Sequence, residues 1–116
     1  MSEEKKETKI EEKEAAVVEQ KETDMMLSRA YKFEGQTYEK LDLSGMEDLT
    51  AQDMIDASRY MRRIGFSNMD EEMDLPYALF MASKVTGLPI EFFDALKPYD
   101  AIRIRGRMLR FFYNPA

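Results

Sequence analysis

The sequence predicts an α+β protein: an N-terminal β-hairpin packed on a bundle of about four short helices, preceded by a disordered acidic tail. Three observations carry that prediction. Charge is uneven, since residues 1–28 hold five Lys and nine acidic side chains and few of the apolar ones. A period of two runs through residues 31–43, and a period near 3.6 governs most of the chain beyond Thr50. We accordingly expect a charged tail over residues 1–28 and one folded domain over 29–116.

The tail, Ser2 to Asp24, is mostly Glu, Lys, Thr and Gln around one apolar island, Ala15-Ala16-Val17-Val18. Its hydrophobicity is too low to offset the entropy of ordering, so it is expected to be disordered in solution, with helix formation on a partner as the alternative. It lacks the apolar core of a secretory signal, and no stretch reaches the ~20 apolar residues of a membrane span.

Tyr31-Lys32-Phe33 alternates, Glu34-Gly35-Gln36 supplies a turn, and Leu41 and Leu43 stand two apart, which predicts a hairpin with a three- to four-residue loop. A first helix starts at Thr50, a good N-cap. Asp53 stands at the capping-box position, and Leu49 with Met54 forms a hydrophobic staple. Met54, Ile55, Met61 and Ile64 make its apolar stripe and Gly65 its C-terminal stop.

Ser67 to Asp74 is a polar connector. Pro76 fits the first turn of a second helix, which is apolar on most sides and therefore central, and Gly87-Leu88-Pro89 ends it. Ile90 to Leu96 reads as a short helix. Pro98 opens the last helix, roughly Tyr99 to Tyr113, with Ile102, Leu109 and Tyr113 in one narrow arc and Arg103, Arg107 and Arg110 in another.

The composition removes most enzyme mechanisms. Among 116 residues there is no His and no Cys, so the commonest general base, the thiolate nucleophile and the usual zinc ligands are missing. The five Gly are scattered rather than gathered into a phosphate-cradling loop. Asp70-Glu71-Glu72 with Asp74 lacks the alternation and the Gly of a calcium loop. No enzyme activity, cofactor or metal is expected.

Two features point to binding. Ten Met are present; Met54, Met61 and Met81 sit at core spacing, but Met69 and Met73 lie in the polar connector, where an adaptable apolar contact to a partner is the better explanation. The last helix interleaves Arg103, Arg107 and Arg110 with Phe111 and Phe112. Those Arg residues are read first as lying near the C-terminal dipole end of the helix or facing the acidic tail; as a binding face they suit carboxylate-bearing partners better than nucleic acid in a protein of net charge −6. The candidate partner-binding residues are thus Met69, Met73, Arg103, Arg107, Arg110, Phe111 and Phe112.

Tyr31 to Tyr113 resembles the tail assembly chaperones of long-tailed bacteriophages, typified by tail protein E. The resemblance is carried by Tyr31-x-Phe33-x-Gly35-x-Thr37-Tyr38, Leu41-Asp42-Leu43, Leu49-Thr50-Ala51-Gln52-Asp53-Met54, Thr86-Gly87-Leu88-Pro89 and Leu96-Lys97-Pro98-Tyr99-Asp100. It implies a non-catalytic protein of the host cytoplasm, absent from the mature virion. Such a protein binds the tape-measure protein in several copies, keeping it soluble and extended before the tail tube polymerises. The tail-tube protein is a secondary partner and weak self-association an accompanying expectation; neither a membrane nor nucleic acid is implied. The competing reading from the residues is a small adaptor or regulatory domain with one defined partner.

Overall fold

The hairpin closes through two residues with positive φ, Glu34 at 50° and Gly35 at 82°, the pairing that matches the twist of two antiparallel strands. The computed structural model describes residues 23–114. Within it β1 (Asp24–Phe33) pairs with β2 (Gln36–Asp42). The loop is therefore two residues long rather than three or four. β1 also begins well before Tyr31: residues 24–28, which the charge pattern groups with the tail, are strand, and Met25 and Leu27 are buried in the core. The segment looks polar only because its neighbours upstream are. The expected disordered tail over residues 1–22 lies outside the described residues.

The hairpin is interrupted in its middle. Met26 pairs with Lys40 and Tyr31 with Tyr38, so residues 27–30 of β1 stand opposite Glu39 alone. Such a bulge leaves backbone groups without a ladder partner, and one of them, the Ser28 N–H, donates instead to Asp100 in the last helix.

Beyond a 3-10 turn at Ser44–Asp48 come four helices: α1 (Ala51–Arg63), α2 (Leu75–Thr86), α3 (Ile90–Asp94) and α4 (Pro98–Tyr113). A second 3-10 turn, Glu71–Met73, precedes α2. The start of α1 carries the expected capping box, with the Thr50 N–H donating to Asp53 Oδ2 at 2.8 Å. Gly65, just past its end, has φ of +91°. α2 is the central helix: Tyr77, Ala78, Leu79, Met81 and Ala82 are all buried, and it meets α1, α3 and α4. The Thr86-Gly87-Leu88-Pro89 segment is its stop. Gly87 adopts φ of +81°, the Thr86 hydroxyl donates to the Ala82 carbonyl at 2.8 Å, and the Ser83 hydroxyl donates to the Leu88 carbonyl at 2.6 Å.

Two helix faces differ from the expected ones. α1 turns only Ala57 and Met61 fully inward, while Met54, Ile55 and Ile64 stay exposed. This helix packs mainly on α2, so one narrow side suffices. α4 buries Asp100, Ala101, Ile104 and Met108 and leaves Ile102 and Tyr113 outside. The inward face is the Asp100, Ala101, Ile104 and Met108 side rather than the apolar arc of Ile102, Leu109 and Tyr113.

The hairpin sits on α3 through Phe92, which meets Tyr31, Phe33 and Tyr38 edge-on with ring centroids 5.2–6.2 Å apart. Lys84 of α2 bridges Asp53 and Asp56 of α1 at 3.1 and 2.9 Å.

Candidate functional site

Asp100 is the polar centre of the domain, with a fully buried side chain. Its Oδ1 accepts from the Ser28 N–H at 3.0 Å and from Arg103 at 3.2 Å; its Oδ2 accepts from the Ser28 hydroxyl at 2.7 Å and from the Tyr31 hydroxyl at 2.6 Å. Burial pushes this carboxyl up, but the hydrogen bonds from Tyr31 and Ser28 and the Arg103 charge outweigh it and hold the group below the usual carboxylate range. The Tyr31 hydroxyl also accepts from the Lys97 N–H at 3.1 Å. Asp100 is thus a fastener between hairpin and helix, and every one of its donors belongs to the protein itself.

The acidic connector is likewise engaged within the fold. Glu71 accepts from the Ser58 hydroxyl, Glu72 from the Tyr113 hydroxyl at 2.5 Å, and Asp74 from Asn68 at 2.7 Å. Among the described residues no cluster of acidic side chains could hold a metal ion.

What the described surface does offer is apolar relief. A groove of about 590 Å³ lies between the start of α1 and the end of α4, lined chiefly by Leu49, Met54, Met81, Phe111, Phe112 and Tyr113. Glu72 marks its polar rim. Leu49 and Met54, the staple pair, form one wall; Phe112, edge-on to the buried Tyr77 at 6.2 Å, forms the other. Burial, with Glu71, Glu72 and Tyr113 nearby, raises the Tyr77 phenol to about 12, so this wall stays neutral.

The seven residues expected from the sequence fall in three places. Phe111 and Phe112 line the groove. Arg103, Arg107 and Arg110 do share one face of α4, but they surround a separate depression of about 290 Å³ with Met25 and Gly106. Arg103 lies over the Tyr99 ring, 5.3 Å from its centroid. Burial and the charges of Arg110 and Arg103 lower the Arg107 pKa, with Asp24 partly offsetting them. Met69 is 98% exposed in the connector and Met73 is also exposed, and neither lines the groove. Met54, 39% exposed, is the groove residue that helical spacing assigns to the core. The staple pattern is the available signal, because a staple sits at a helix entrance, where the core is open.

Fold and surface together define a class: a small α+β protein, a hairpin on four helices, with an open apolar groove. Residues 24–113 match the family of phage tail assembly chaperone proteins E, or 41 or 14. The chain belongs to that family, and its role is that of a chaperone in phage tail assembly. No curated protein and no solved structure matches it. Among the described residues no helix is long and apolar enough to cross a membrane.

Proposed function

We propose that the protein binds the tape-measure protein of its phage and keeps it soluble and extended until the tail tube polymerises around it. The observation that carries this reading is the groove walled by Leu49, Met54, Phe111 and Phe112, which lies within the family-matched region. It is open at the surface and apolar, with a single carboxylate at its rim. An amphipathic helix of the partner would lay its apolar stripe there, driven by removal of both surfaces from water. One such contact is weak; several copies along one long helical chain give collective hold and easy release. The work is non-catalytic and takes place in the host cytoplasm, with the chaperone absent from the finished particle.

Co-expression with the tape-measure polypeptide tests the proposal. The partner is expected in the soluble fraction only when the chaperone is present, in complexes whose mass corresponds to several chaperones per partner. A partner equally insoluble in both cases overturns the reading, and a strict one-to-one complex favours an adaptor.

A further inference from the structure

The arginine depression on α4 lies beside the point where the described chain begins. Thr23 accepts the Leu43 N–H through its carbonyl at 3.2 Å, which fixes where the preceding chain enters the domain. Two residues on, Met25 is itself part of the wall of the depression, beside Arg103, Arg107 and Arg110. The described chain therefore begins beside a hollow lined by three arginines. Gly106, at a mid-helix position that ordinarily disfavours Gly, also lines the hollow.

Charge and length complement this placement. Residues 11–22 carry Glu11, Glu12, Glu14, Glu19 and Glu22 against Lys13 and Lys21, around the apolar island Ala15 to Val18. Arg103 is paired with Asp100 and Asp24 acts on Arg107, yet three guanidinium groups gathered on one face still outnumber those two carboxylates and favour a further anionic neighbour. Arg103 and Arg110 are about 10 Å apart along the helix axis, and twelve residues span ~18 Å as helix and up to ~40 Å extended. Either form reaches across.

We infer that residues 11–22 dock on the Arg103–Arg107–Arg110 face of α4, as an acidic segment supplied in cis to a surface built for one. The arginine face is then an intramolecular interface, separate from the apolar groove, and an acidic segment of a partner reaches it only by displacing the chain's own.

The absence of Cys allows a clean test in the full chain. A nitroxide on Val17→Cys is expected to broaden the amide resonances of residues 103–110 selectively. The broadening should vanish in about 1 M salt, where the screening length falls to about 3 Å. It should also vanish when Glu11, Glu12, Glu14, Glu19 and Glu22 are all changed to Gln. Arg110→Glu, at an exposed position, should weaken it without loss of fold. Broadening spread evenly over the domain, or centred on Leu49, Met54 and Phe112, overturns the assignment. So does broadening at 103–110 that is indifferent to both salt and the Gln substitutions.

Discussion

The Tyr31 hydroxyl lies 2.6 Å from Asp100 Oδ2, joining the first strand to the last helix across 69 positions of sequence. Both residues belong to segments that carry the family resemblance, and the structure gives the physical reason for the pair. The bulge in β1 leaves the Ser28 N–H without a strand partner, and the buried carboxylate collects it together with two hydroxyls. Tyr31→Phe, which removes one donor but keeps the ring on Phe92, should lower stability by about 1 kcal/mol in urea unfolding. Asp100→Ala, which strands the Ser28 and Tyr31 donors, should cost about 3 kcal/mol.

Acid should loosen the same joint. Because the folded pKa of Asp100 is depressed, its contribution is complete above the unfolded value of about 4 and is lost as pH falls through the folded one. Asp53, held low by the Thr50 N–H and then by Lys84, and Asp56, held low by Lys84, act in the same direction from the surface. Urea midpoints measured from pH 7 down to pH 2 should fall below about pH 4, and Asp100→Asn should flatten part of that decline.

Gly45 and Gly106 should respond oppositely to Ala. A Cβ on Gly45 would stand 3.0 Å from the Val85 carbonyl oxygen, a backbone atom that cannot swing away; Gly45→Ala should cost about 1–2 kcal/mol. At Gly106 the nearest atom would be an Arg110 nitrogen at 3.8 Å. There Ala should stabilise the helix by about 0.5–1 kcal/mol in thermal or urea unfolding.

Met54→Glu separates groove from core. The side chain is 39% exposed and opens onto the groove rather than the sealed core, so circular dichroism should be unchanged while affinity for the proposed tape-measure partner drops about tenfold, or about 1.4 kcal/mol. Met69→Ala, at a fully solvated position in the connector, should leave stability within about 0.5 kcal/mol of wild type. Retained capture by Met54→Glu would move the interface away from the groove.

Local signals read well from the sequence where one residue type decides the geometry. The Thr50–Asp53 capping box, Gly65 and Gly87 at helix ends, and Pro98 at the start of α4 are such cases. The arginine arc of α4 is legible for the same reason: helical spacing alone sets it. Which arc faces inward is not legible, because α4 is apolar in two directions and the inward one, Ala101, Ile104 and Met108, also carries a carboxylate whose donors lie 69 and 72 positions away. Strand β1 reads too short in the sequence because Ser28, Arg29 and Ala30 interrupt its alternation, and that interruption is the bulge itself. The Phe111–Phe112 half of the groove is visible as aromatic residues; its Leu49–Met54 half looks like an ordinary staple.

The interrupted hairpin bears on crowding. A two-stranded sheet presents two open margins, and an uninterrupted row of amide and carbonyl groups along either would let neighbouring molecules knit strand to strand into fibrils. In β1 the bulge between Met26 and Tyr31 bends the strand at its midpoint, which keeps its margin from running long and straight. Molecules of this protein crowded together can thus stand shoulder to shoulder without fusing.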